Sequence, residues 1–344
     1  FKHKTAYEIG VRLVGSEMCI RDRTYMVGLV GAASTGIGLT VPLIAACLGW
    51  MLDIPDTFAL KVGVISIVTS VFAVSVWIGL DRGIKRLSNL AVSLAFLLLA
   101  FVLLTGPTLY ILEAGTATLG FVVQNYITMS TWTDPNAASN FVETWTVFYW
   151  AWWLALGPFM GIFITKISGG RTIRQVVLGS LGYGTLGTTL FFLVLGNYAV
   201  YLEISGELAV LLELQNNGAA QAVTQVIASL PLNLLVIPLF CLICVIFAAT
   251  SADSASYTLA STTTQVLPQG SHPARWNRIF WAFALGLLPI TLIRIGGLSP
   301  LQSAVTVVSV PLLLVILLMT GALIRCLKRD FDDETDKPAK PLPD

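Results

Sequence analysis

Apolar residues in this chain come in long unbroken runs, without the short alternation of strands or the single apolar stripe of a soluble helix. Eight runs stand out, at roughly 25–49, 60–80, 89–112, 144–165, 176–201, 231–254, 277–297 and 301–325. A helix rises about 1.5 Å per residue, so about 20 apolar residues match the ~30 Å hydrocarbon core of a bilayer. Each run therefore predicts a spanning helix. Two further stretches, about 117–129 and 205–228, mix apolar and polar positions and fit interfacial helices or re-entrant pieces.

Composition agrees with that pattern. Of 344 residues, 56% are hydrophobic and 11% charged, with a mean hydropathy of +0.80. An ordinary soluble domain carries about 25% charged residues, so a solvated enzyme, a nucleic-acid binder and a disordered chain are excluded. The fold class expected is all-α and integral to the membrane.

The loop charges give a direction. Arg82, Lys85, Arg86, Lys166, Arg171, Arg174, Arg275, Arg278, Arg325, Lys328 and Arg329 follow the even-numbered spans, against Lys61 and Arg294 in the alternate loops. Positive loops stay inside, which predicts a multi-pass protein of the inner (plasma) membrane with a cytoplasmic C-terminus. Residues 1–23 are polar and mixed in charge, and Val14 to Arg23 looks like translated adapter sequence; this stretch reads as a non-native leader. Residues 24–327 form the expected membrane domain and 328–344 a cytoplasmic tail.

Candidate chemistry is sparse. No HExxH, GxSxG or Walker-type motif occurs, so nothing predicts an enzyme or a resident metal. The two histidines, His3 and His272, fall outside the apolar runs, and Cys241 and Cys244 lie within one, where they read as small packing residues. The fourth span opens with Trp145, Phe148, Tyr149, Trp150, Trp152 and Trp153, then reaches Gly157, Pro158 and Phe159. At about 100° per residue, Trp145, Phe148, Tyr149, Trp152 and Phe159 share a face, with Trp153 on its flank. A belt of rings at the membrane interface is one reading. A box for a cation is the other, because ring faces attract a quaternary ammonium that has no N–H to donate. On residues alone both stand. Gly157-Pro158 should loosen this helix at a depth where only cavity-lining backbone is tolerated.

The sixth span ends with Phe247, Thr250, Ser251 and Asp253. Asp253 is the acid lying within a span, either a functional carboxylate or a hydrogen-bonding hub. Thr250 and Ser251 offer oxygens to a hard monovalent cation, or simply pack helices.

Together these residues resemble the betaine/choline/carnitine transporter family from about residue 25 to 327. The match is carried by Trp145–Trp153 with Gly170-Arg171-Thr172-Ile173-Arg174, and by Thr250-Ser251-Ala252-Asp253-Ser254. Asp81-Arg82-Gly83-Ile84, Leu87-Ser88-Asn89, Gly296-Gly297-Leu298 and Leu301-Gln302 support it. The resemblance implies an inverted-repeat transporter fold, with this chain a fragment corresponding to the fifth to twelfth of twelve spans. The rest of the first repeat would occupy 24–130 and the second repeat 140–327.

It further implies secondary active import of a small cationic or zwitterionic substrate, a quaternary-ammonium osmolyte, coupled to sodium, with membrane lipid around a homotrimer and no organic cofactor. A sodium-independent antiporter, a sulfonium carrier or a non-transporting sensor are the alternatives. By the same resemblance Phe148, Trp152 and Trp153 face the substrate, with Trp145 and Tyr149 beside them. Phe247, Thr250 and Ser251 hold sodium, and Phe159 marks a second ion position. Asp253, Gly157 and Pro158 serve structure or gating. Leu156 stands where the family often has a further Trp.

Overall fold

Every apolar run folds as helix, as the absence of alternation requires. The computed structural model describes residues 19–78, 83–136, 139–264, 272–296 and 298–335; His3, Asp81, Arg82 and Gly297 fall outside them, as does most of the expected leader. In chain order the long helices are α1 (Cys19–Leu52), α2 (Phe58–Ile78), α3 (Gly83–Thr105) and α4 (Thr108–Thr131). A π-helical segment, Val142–Val147, leads into α5 (Phe148–Ile167), and α6 (Ile173–Phe191) passes through a second one, Phe192–Gly196, into α7 (Asn197–Ser205). The short α8 (Val210–Asn217) and α9 (Ala219–Ala228) precede α10 (Asn233–Thr262), α11 (Arg275–Gly296) and α12 (Leu298–Thr335). Among the described residues there is no strand.

Among the described residues, seven helices are long and apolar enough to cross a membrane. The eighth expected span is α2, whose apolar stretch Phe58–Val74 is shorter. The chain is thus an all-α, multi-pass membrane protein. α1 starts at Cys19, so the last residues assigned to the leader form its first turn. Helix also continues past 327 to Thr335, where a tail was expected.

The two mixed segments resolve differently. The first is α4, a 24-residue helix in which Ile111 and Gly115 are the buried residues. The second is broken by Gly206 (φ 75°) and Gly218 (φ 84°), in a left-handed region that glycine enters without steric cost. The basic loop before α6 is shaped likewise: Gly170 turns the chain (φ 81°) and Thr172 caps α6 in a reciprocal box with Gln175.

α1 is the central element, packing against α10, α12, α5, α11 and α9. Leu29, Ile37, Val41 and Ile44 of α1 meet Ile237 and Leu259 of α10, Phe72 of α2, Leu98 of α3 and Leu285 of α11 in one core. Water does not drive helices together inside a bilayer, so close approach through small residues matters. At Gly28 a Cβ would lie 2.3 Å from Leu312 Cδ1 and 3.7 Å from the Ala155 carbonyl, which is where α1, α5 and α12 converge. α5 runs antiparallel to α1 and parallel to α12, since Gln302 lies beside Thr144 and Ile316 beside Gly157.

Candidate functional site

The tryptophan-rich segment sits on α5 against α1. Phe148 is 1% exposed, and its ring stacks on Trp152 at 5.5 Å between centroids and 20° between planes. Tyr149 adjoins both, 5.4 Å from Phe148 and 6.1 Å from Trp152, and Trp145 stacks on Tyr149 at 6.1 Å. Trp152 is fixed from outside the helix: its Nε1–H donates to the Ala32 carbonyl of α1 at 2.9 Å. It passes over Gly36, where a Cβ would be 3.7 Å from its ring. Ten residues separate Trp152 from the start of the apolar span at Val142, about 15 Å of helix, half the ~30 Å that a spanning helix crosses.

Four of the five expected aromatics therefore form one continuous ladder. Trp153 does not join it: one position further round the helix, it is 62% exposed. Phe159 is buried and faces Phe163 at 6.1 Å. α5 runs unbroken through Gly157 and Pro158, although Pro158 has no N–H to give the Leu154 carbonyl one turn earlier. The irregularity lies earlier, in the π segment. There the Thr144 carbonyl accepts a hydrogen bond from Gln302 Nε2 of α12 at 3.1 Å. π-helical turns appear mostly as single insertions and often at functional sites. Beside this turn is a cavity of about 400 Å³, which reaches Phe148 and is lined by Glu143, Ser299, Ser303 and Thr306.

The second candidate cluster lies on α10. Thr250 Oγ1 donates to the Phe247 carbonyl at 3.0 Å, and Ser254 Oγ donates to the Thr250 carbonyl at 2.9 Å. Phe247 and Ser251, one turn apart, are exposed, and Thr250 is half-buried at their edge. This turn carries only neutral oxygen donors, chemistry that fits a monovalent hard cation. Asp253 points the other way, into the core, and pairs with Arg278 of α11 at 3.4 Å. Sequence reading counted Arg278 among the loop bases and missed this role. The available signal was its place within an apolar run, at the second position, where a charge needs a partner. Gln302 was noticed only as part of a motif, and its bond to the π turn was missed.

Comparison with known proteins decides the family. The model of the BCCT, betaine/carnitine/choline family transporter, matches residues 7–332. The chain belongs to that family. It is 34% identical to the transporter YeaV of Escherichia coli K12 over 325 residues, 94% of this chain and 68% of that protein. It is 33% identical over 311 residues to a carnitine transporter of Acinetobacter baumannii, spanning 90% of this chain and just over half, 56%, of that protein's length. As a BCCT-family protein it is a secondary transporter of the membrane and not an enzyme. One expectation is corrected. The family match covers nearly the whole chain and starts at residue 7, not near 25, so it does not confine the chain to a partial fifth-to-twelfth-span fragment.

Proposed function

We propose that this protein is a secondary active importer of a quaternary-ammonium osmolyte of the betaine, choline or carnitine class, coupled to sodium. The observation that carries the reading is the Phe148–Trp152 stack within an apolar span, held against α1 by the Trp152–Ala32 hydrogen bond. A methylated cation gains about 0.5–2 kcal/mol from such a ring face when desolvated. Trp145 and Tyr149 extend the ladder towards the start of α5, giving the substrate a path of ring faces. Trp153 lies on the flank, and its exposed ring would close over the substrate from that side.

Sodium would bind at the Phe247 carbonyl and the Thr250 and Ser251 hydroxyls, with Phe159 marking a second position. Coupling then follows from differential affinity: sodium shifts the conformational balance only by binding one state better than the other. The helices would form an inverted-repeat fold whose two halves rock around the fixed site. The loop bases favour a C-terminus in the cytoplasm of a cell whose inner membrane holds the protein. A trimer of such units is the assembly the family resemblance supports.

Uptake of labelled glycine betaine, choline and carnitine, measured with and without an inward sodium gradient, tests this reading. Sodium-stimulated uptake of at least one is expected. Equal rates with and without the gradient would remove sodium coupling, and no uptake of any would remove the substrate class.

A further inference from the structure

Beyond the ion turn of α10 lies a buried charge pair that the transport reading has not used. Asp253 is 1% exposed and Arg278 3%, with Nη2 3.4 Å from Oδ1. The guanidinium also lies over the Tyr257 ring at 5.2 Å, and the Tyr257 hydroxyl meets His272 Nδ1 at 3.1 Å. Burying two ions is costly, and the cost is recovered only when geometry is good. A strong guanidinium–carboxylate pair makes two parallel bonds of about 2.7–2.9 Å. Here Nη2 lies 3.4 Å from Oδ1, longer than such a bond, and Arg278 Nε has no hydrogen-bond partner among the described residues. Stability alone is a weak reason for burying such a pair.

Its location supplies a better one. Asp253 is three residues past Thr250, and residues so spaced are neighbours on a helix, with Cβ atoms about 5–6 Å apart. The same stretch is laced to its own backbone by Ser254 onto Thr250 and Ser256 onto Asp253, both at 2.9 Å.

We propose that Asp253 serves the coupling ion through its charge. It cancels the Arg278 guanidinium of α11 beside the place where sodium binds. This rests on the reading of Phe247, Thr250 and Ser251 as the ion site. With an effective dielectric constant of about 20, an uncancelled positive charge roughly 10 Å away weakens a monovalent cation by about tenfold.

The test is thermal unfolding of the purified protein in detergent, titrated with sodium chloride against potassium chloride at equal ionic strength. Sodium is expected to raise the Tm of the wild type more than potassium does. Asp253→Asn, which leaves the guanidinium without its anion, should weaken the apparent sodium affinity by about tenfold. The double variant Asp253→Asn with Arg278→Gln should recover sodium affinity, and Arg278→Lys should retain it. Should Asp253→Asn alone fail to fold, the double and lysine variants still carry the comparison with wild type. An unchanged sodium response in Asp253→Asn, or no recovery in the double variant, would make the pair a mere structural clasp and overturn the proposal while the ion site stands. A wild type indifferent to sodium would remove both.

Discussion

Replacing Trp152 separates the ring from its tether. In Trp152→Phe the face opposite Phe148 remains, while the 2.9 Å bond to the Ala32 carbonyl is lost. That carbonyl lies within α1 and keeps its helical environment, so the expected loss of stability is about 1 kcal/mol, the net worth of a neutral hydrogen bond. A phenyl face attracts cations less than an indole, which should weaken substrate binding by roughly two- to threefold. Trp152→Ala removes the ring altogether. A fully buried aromatic truncation costs about 3–5 kcal/mol, and Trp152 is half-buried, so about 2 kcal/mol of stability is expected. Losing a desolvated cation–ring contact of ~1–2 kcal/mol should weaken binding by about 5- to 30-fold. Calorimetric titration with choline, glycine betaine and carnitine, alongside thermal unfolding, reads both quantities. If the phenylalanine variant loses binding as fully as alanine, the tether and not the ring carries recognition. If the alanine variant binds normally, Trp152 is no part of the cation seat.

Other expectations follow from the same geometry. Trp153→Ala should change stability by no more than about 0.5 kcal/mol, because the ring is 62% exposed, yet abolish uptake; normal uptake would take the residue out of the substrate box. Thr250→Val with Ser251→Ala should remove sodium stimulation of uptake, and stimulation that persists would place the ion elsewhere. Gln302→Leu strips the Thr144 carbonyl of its donor and should cost about 1 kcal/mol while weakening substrate binding; a change in unfolding temperature with binding untouched would show that the π turn does not orient the ladder. Gly28→Ala drives a methyl into Leu312 and should cost about 1–3 kcal/mol, with most of it recovered when Leu312→Ala is added. Failure of that recovery would mean that the backbone, and not the leucine, sets the limit.

How much of this could be read from residue order depends on the kind of interaction. Spans were legible because twenty consecutive apolar residues have few other fates, and the ladder because Trp145, Phe148, Tyr149 and Trp152 recur at helical spacing. The exposure of Trp153 was only half legible: spacing put it on a flank, and nothing in the order of residues says what covers a flank. The π turn was invisible, since residue types do not record which carbonyl a backbone N–H selects. Asp253 was found because a lone acid in an apolar run is conspicuous. Arg278 was not, because a base near the end of a span looks like a topology signal until packing shows it turned inward. The start of α1 at Cys19 was missed for a related reason: charge and polarity mark where a helix leaves the bilayer, not where it begins.

Four of the thiols are described, and they differ in reach: Cys47, Cys241 and Cys244 are buried, whereas Cys326 is half-buried beside Arg325, near the end of α12. With Cys19 replaced by serine, a membrane-impermeant maleimide would thus find one handle. Labelling that appears in inverted vesicles and not in intact cells would fix the sidedness of the entire bundle, and a spin label at that sulfur would report how α12 moves during turnover without disturbing the aromatic ladder.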